Sequence, residues 1–141
     1  MKRRILVVED ETKLRRVIEL QLASSGFEVD LAGSAEEGLR MAERADLILT
    51  DLRLPGMDGV AMLEKVRAQN GRVPVIVMTA FGTVENAVEA MKLGAADFLL
   101  KPFSLDHLLT VVNKALEVSS LRDENRALRE ELGVRYQFDN I

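Results

Sequence analysis

Five residues of this chain carry side chains that could share one reaction: the acidic pair Glu9 and Asp10, a third carboxylate at Asp51, the hydroxyl of Thr79 and the ammonium of Lys101. Three carboxylates brought together repel one another, and some of their pKa values rise unless a cation relieves them. A hard divalent ion, Mg2+ or Mn2+, is the natural partner of such oxygen donors, because it keeps waters and accepts phosphate oxygens. A carboxylate can also act as a nucleophile toward phosphorus and become an acyl phosphate. That step depends on in-line positioning and on neutralising charge over the equatorial oxygens. A metal supplies most of that, while Thr79 can bond one phosphoryl oxygen and Lys101 can pair with another. Taken singly, each residue has a plainer role. Glu9 and Asp10 suit the positive end of a helix, Asp51 suits a turn, Thr79 suits a cap and Lys101 suits solvent. Only their convergence makes a site.

The elements that must produce that convergence are legible as short β-branched runs alternating with helical-period segments, the pattern of a parallel sheet covered on both faces. Ile5 to Val8 reads as a strand buried on both sides, and Leu14, Val17, Ile18 and Leu22 read as the inward face of a helix ended by Gly26. Phe27 to Leu31 reads as a second strand. Ser34 with Glu37 is a capping-box signature opening a helix through about Arg44. Leu47 to Thr50 is a third strand delivering Asp51 to its carboxyl end, before the turn-rich Leu54-Pro55-Gly56-Met57-Asp58-Gly59. A helix with Val60, Leu63 and Val66 follows, then Val75 to Met78 as a strand ending at Thr79. Thr83 is placed to cap a fourth helix with Val84, Ala87, Val88 and Met91 inward. Ala96 to Leu100 is the fifth strand, and Ser104 caps a last helix with Leu105, Leu108, Leu109 and Val112 on one face. Five such units predict a doubly wound five-stranded parallel sheet with order 2-1-3-4-5 and a site outside the strands' carboxyl ends, where all five residues fall.

Composition narrows the function. The 141 residues allow one full core plus an appendage. The longest apolar runs are strand-sized, far from the roughly 20 residues that cross a bilayer, and the basic start at Lys2 to Arg4 runs straight into Glu9-Asp10-Glu11, so no export signal is expected. The absence of cysteine removes thiolate metal sites and suits a cytoplasmic protein. A lone histidine, His107, excludes a multi-histidine metal centre. A net charge of -4 gives no general attraction for nucleic acid.

Across Arg4 to about Glu117 the pattern resembles the receiver domain of bacterial two-component response regulators. Glu9-Asp10, Asp51 with Leu54-Pro55-Gly56-Met57-Asp58-Gly59, Thr79-Ala80 and Lys101-Pro102-Phe103 carry the likeness. The resemblance implies Asp51 as the phosphorylation site and a sensor histidine kinase as donor. It implies Asp10, Asp51 and the Arg53 backbone carbonyl as Mg2+ ligands, with Glu9 reaching the metal through water. It further implies a cis bond between Lys101 and Pro102, and a switch in which Phe98 moves with the Thr79 hydroxyl, although Phe98 lacks the hydroxyl of the tyrosine common among relatives. Such a domain catalyses only its own phosphorylation and dephosphorylation.

Beyond the fifth helix, Val111, Val118, Asn125 and Leu132 recur every seven residues, interleaved with Leu121 and Leu128, which reads as an a/d seam of a homodimeric coiled coil. Asn125 at an a position favours a parallel, in-register pair, and Lys114 interrupts the d row. A helix from Ser104 to Leu132 would be about 43 Å long. The division expected is a receiver over 1–118 and a helical linker over 119–133, and the closing residues 134–141 resemble the start of the central ATPase domain of nitrogen-regulation-type enhancer-binding activators. No phosphate-binding Gly-rich loop and no DNA-reading helix-turn-helix is present, so neither ATP hydrolysis nor direct nucleic acid binding is expected of these residues. The main alternative is a haloacid-dehalogenase-like phosphohydrolase, which also forms an aspartyl phosphate but has a second carboxylate where this chain has Arg53. A flavodoxin-like cofactor binder fits less well, because Glu9-Asp10-Glu11 stands where a phosphate cradle should be.

Overall fold

The computed structural model describes residues 2–69, 71–80 and 84–139, with side chains as far as Arg122 apart from those of 84, 86 and 87. The elements alternate as predicted: β1 (Arg4–Val8), α1 (Thr12–Ser24), β2 (Glu28–Ala32), α2 (Ala35–Met41), β3 (Leu47–Asp51), α3 (Gly59–Gln69), β4 (Val75–Thr79), α4 (Val84–Lys92), β5 (Asp97–Leu100) and α5 (Leu105–Asp139). The five strands form one sheet in the order β2-β1-β3-β4-β5, all parallel. Alternation along the strands sends Leu6, Val8, Ile48, Val75 and Val77 into one core layer, beneath α2, α3 and α4. Ile5, Val7, Leu47, Leu49, Ile76 and Met78 point into the other, beneath α1 and α5. Burial on both faces is why the central strands read as unbroken apolar runs.

Local signals act largely where they were read. The Ser34 hydroxyl accepts from the Glu37 N–H at 3.2 Å, and the Glu37 carboxylate reaches back to the Gly33 N–H at 3.2 Å, one residue earlier than the usual box. The helix is shorter than expected, tightening into a 3-10 turn over Ala42–Arg44. Ser104 caps α5 through the His107 N–H at 3.0 Å. Asp58 performs the same task for α3, accepting from the Ala61 N–H at 2.8 Å. The Thr83 cap expected for α4 lies outside the described residues.

Several expectations are corrected. The second strand lies one residue later than read, because the Phe27 N–H still bonds back to Leu22. Val17 is exposed rather than inward; Ile18 and Leu22, one turn apart, define the buried stripe of α1, and Val17 falls off it. Among the described side chains of α4, Ala90 points inward, with the half-buried Leu93 just after the helix, while Val88 and Met91 face out; the side chains of Val84 and Ala87 lie outside the described residues. A small alanine lets α4 approach the sheet closely, and the larger apolar residues misled the periodicity.

Val111, expected on a dimer seam, is buried within its own domain beside Leu108, Val112, Ala115 and Leu116. Only Val118 and Leu121 of the described seam residues are exposed. Asn125, Leu128 and Leu132 lie outside the described side chains. The helix does not end at Leu132: α5 has 35 residues, about 52 Å of helix, since a single interior glycine at 133 costs only about 1 kcal/mol and no proline follows. Among the described residues no helix is long and apolar enough to cross a membrane.

Candidate functional site

Parallel register places the chemistry-bearing residues along one edge. Glu9 and Asp10 follow the last residue of β1, and the Glu9 N–H bonds to the Ala32 carbonyl at 3.0 Å, which fixes the turn off the strand. Asp51 is the last residue of β3, opposite Met78 of β4, and Thr79 closes β4 one residue further on. Lys101 leaves β5 with its N–H on the Thr79 carbonyl at 2.7 Å. The peptide bond between Lys101 and Pro102 is cis.

Around Asp51 the backbone is packed tightly. The Arg53 N–H donates to Asp51 Oδ1 at 3.0 Å, so the chain folds back against the carboxylate and brings the Arg53 peptide beside it. The Gly59 N–H bonds to the Leu52 carbonyl at 2.8 Å. A Cβ at Gly59 would fall against the Asp51 carbonyl oxygen and 2.7 Å from the Leu52 Cα, so only glycine lets α3 begin here.

The side chains then meet. Lys101 Nζ lies 2.7 Å from Asp51 Oδ2 and 3.1 Å from Glu9 Oε2. One carboxylate oxygen each from Glu9, Asp10 and Asp51 falls within a 4.8 Å group. Glu9, Asp51 and Thr79 are buried, and Asp10 is exposed at the mouth. Such an acidic cluster of hard oxygen donors, open on one side, can chelate a divalent cation.

The electrostatics record the crowding. Burial raises the Glu9 carboxyl, its hydrogen bond and like charge with Asp51 raise it further, and Lys101 only partly offsets this; the result is a pKa pushed up to about 7. Burial pulls the Lys101 ammonium down, but the bond and charge of Asp51, followed by those of Glu9, outweigh it, and its pKa rises. The site holds one ammonium against three carboxylates, a deficit of positive charge that a divalent ion would fill.

Of the residues singled out from sequence, Glu9, Asp10, Asp51 and Lys101 come together, with Thr79 at the adjoining strand end. Phe98 lies lower on β5, opposite Val77, half-buried against the core layer under α4. Two supporting residues went unread. Arg15 of α1 donates to the Glu9 carbonyl at 2.9 Å. Glu36 of α2 accepts from the Met57 N–H at 3.2 Å and so ties down the loop after Asp51. Its own backbone N–H and then that of Met57 hold its carboxyl below the usual range. No motif marks either residue, because each acts on backbone brought close only by the fold.

Comparison with known proteins agrees with this geometry. The response regulator receiver domain family matches residues 5–113. The chain is 40% identical to the regulatory protein AtoC of Escherichia coli K12 over 140 residues, covering 98% of this chain and 30% of that protein. It is 41% identical to the transcriptional regulatory protein ZraR of the same organism over 114 residues, 79% of this chain and 26% of that one. Among solved structures, NtrX from Brucella abortus superposes with a TM-score of 0.87 at 38% identity, over 92% of this chain and 30% of that one. A receiver domain protein from Clostridium thermocellum superposes at 0.81 with 32% identity, over 84% of this chain and 98% of that one. The chain thus spans less than a third of the length of AtoC and ZraR.

Proposed function

The chain belongs to the response regulator receiver domain family, and from that premise we propose that Asp51 is the residue that takes the phosphoryl group, with the phosphohistidine of a sensor histidine kinase as donor. The observation that carries the reading is the Lys101 ammonium bridging Asp51 and Glu9 beside Asp10 at one sheet edge. Membership in this family displaces the phosphohydrolase alternative, which also lacks its second carboxylate at Arg53.

An oxygen of the Asp51 carboxylate attacks phosphorus, a P–O bond forms and the P–N bond to the donor imidazole breaks, leaving an acyl phosphate and a free histidine. Mg2+ or Mn2+ held by Asp10, Asp51 and the Arg53 carbonyl, with Glu9 behind, supplies neutralisation of the phosphoryl charge when bound. Lys101 exchanges the Asp51 carboxylate for a phosphoryl oxygen, and the Thr79 hydroxyl takes another. The Arg53 N–H and the Gly59 close packing keep Asp51 in place while this happens.

The product acts as a signal. Movement of Thr79 toward the phosphoryl group, with Phe98 following, changes the α4, β5 and α5 side of the domain. The exposed Val118 and Leu121 begin a seam that Asn125, Leu128 and Leu132 continue, and two copies pair along it in the cytoplasm. Residues 1–118 form the receiver, 119–133 the helical connection, and 134–141 lead into a central ATPase domain whose activity the phosphorylation state controls. Incubation with Mg2+ and acetyl phosphate, read as intact mass, tests the first step: the wild type gains one phosphoryl group and Asp51→Asn gains none. Equal gain by both removes Asp51 as the acceptor.

A further inference from the structure

At the opposite end of the sheet from Asp51, where β4 and β5 begin, lies a cleft of about 840 Å3 that the phosphoryl chemistry does not use. Its walls come from α3 and the chain after it, from the α4–β5 connection and from the stretch Lys114 to Arg122 of α5. Among the described residues lining it, Arg67, Arg72, Lys114 and Arg122 are cationic and Asp97 alone is anionic. That local excess of positive charge stands on a chain of net charge -4.

The same lining includes the apolar Pro74, Met91 and Ala115, an uncharged floor to the cleft. Arg67 is fixed in place, its two terminal nitrogens donating to the Val73 carbonyl at 2.7 Å and the Gly94 carbonyl at 3.0 Å. Gly94 has φ +105°, and a Cβ there would meet Arg67 Nε at 3.1 Å, so the turn is shaped around the guanidinium. Burial and the neighbouring Arg122 both lower the Arg67 pKa, a sign that like charges crowd here.

We propose that this basic cleft is a binding site for a small, multiply charged phosphorylated molecule of up to nucleotide size. The volume lies in the range of small-molecule sites, which combine apolar walls with a few placed polar groups. Guanidinium groups match phosphate oxygens in pairs; the exposed Arg122 and Lys114 are placed to meet the ligand, while Arg67, held by the Val73 and Gly94 carbonyls, contributes its charge to the cleft. The apolar floor accepts the uncharged body of such a ligand. Because α5 leaves the domain along one wall, a bound anion ties the α3–β4 and α4–β5 connections to that helix at its point of exit.

The test is titration of the full chain, in metal-free buffer at low salt, with ADP and separately with pyrophosphate, followed by amide NMR shifts. Lys114→Glu with Arg122→Glu is the variant, since both side chains are exposed and neither is needed for the core. Saturable shifts at Gly71, Gly94 and Ala96, weakened at least tenfold in the variant while its thermal unfolding is unchanged, support the site. Tighter binding of ADP than of pyrophosphate shows that the floor contributes, and equal binding assigns the site to phosphate groups alone. Shifts scattered over the surface, shifts matched by sodium chloride at equal ionic strength, or binding indifferent to the double charge reversal overturn the proposal. None of these readouts involves Asp51, so the outcome is independent of phosphorylation.

Discussion

Replacing Glu9 with glutamine is expected to stabilise the metal-free protein at pH 8, although it removes a hydrogen-bonded ion-pair partner of Lys101. Glu9 is buried, and its pKa is pushed from 4.5 to about 7 by burial and by Asp51, even after the help it receives from Lys101. A carboxyl raised in the folded state binds its proton more tightly there than in the unfolded chain. Its contribution is therefore fully present below pH 4.5 and lost as pH rises through about 7. At about 1.4 kcal/mol per pH unit, the ionised form costs about 3 kcal/mol of stability at pH 8. Glutamine keeps the shape of the protonated acid without the titration, and Asp51 still holds Lys101 at 2.7 Å. Urea unfolding in metal-stripped buffer between pH 4 and pH 8.5 measures the difference between variant and wild type. The curves should meet near pH 4.5 and separate to about 3 kcal/mol, or about 10 °C in Tm for a chain of this size. A constant difference across that range, or a variant less stable than wild type at pH 8, refutes the reasoning. Saturating Mg2+ should stabilise the wild type by more than the variant, since the ion fills the charge deficit that Glu9 helps create.

Other expectations follow from the same packing. In the wild type the apparent Mg2+ affinity rises with pH up to about 7, because the ion must displace the Glu9 proton below it, and calorimetry in buffers of different ionisation heat counts that proton. Lys101→Met leaves Asp51 and Glu9 facing each other without their cation and costs about 2 kcal/mol at pH 8, measured by urea midpoint; the effect shrinks at pH 5 as Glu9 takes up a proton. Gly59→Ala drives a methyl group into the Asp51 and Leu52 backbone and costs about 2 kcal/mol, with slower phosphorylation from acetyl phosphate because Asp51 is displaced. Val118→Lys with Leu121→Lys, both at exposed positions, abolishes self-association in sedimentation, and its unfolding midpoint converges with that of the wild type on dilution, since neither side chain belongs to the core. The same change at Val111 unfolds the domain instead, since that residue belongs to the core.

The strand ends were the most legible part of the molecule. Continuous apolar runs at Ile5 to Val8, Leu47 to Thr50 and Val75 to Met78 define strands buried on both faces, and whatever polar residue terminates each must lie on one edge of a parallel sheet. Glu9, Asp10, Asp51, Thr79 and Lys101 could therefore be placed together before any distance was known. Helix faces were less legible. An exposed Val17 or Val88 has the same letter as a buried one, and a close-packed Ala90 gives no signal of its depth. Val111 shows how a heptad and a core stripe can share one helix: the same seven-residue spacing that runs on to Val118 and Leu121 begins inside the domain, where α5 packs on the sheet. Arg15 and Glu36 were invisible because they support the site through backbone groups, and the basic cleft was invisible because Arg67 and Arg72 are brought to Lys114 and Arg122 from a separate stretch of chain.

The most direct test of the central claim is chemical trapping of the acyl phosphate. After incubation with Mg2+ and acetyl phosphate, borohydride reduces an aspartyl phosphate to homoserine, and trypsin releases the peptide spanning 45–53, which holds both Asp46 and Asp51. Asp46 is a built-in control: it precedes β3 at the far end of that strand, where its carboxylate is occupied by the Arg4 N–H at 2.7 Å. Homoserine at position 51, unmodified Asp46, and loss of the product when Mg2+ is withheld is the result expected. Reduction at Asp46, at Glu9 or Asp10, or at no position while the intact protein still carries phosphate would contradict the assignment of Asp51 as the acceptor.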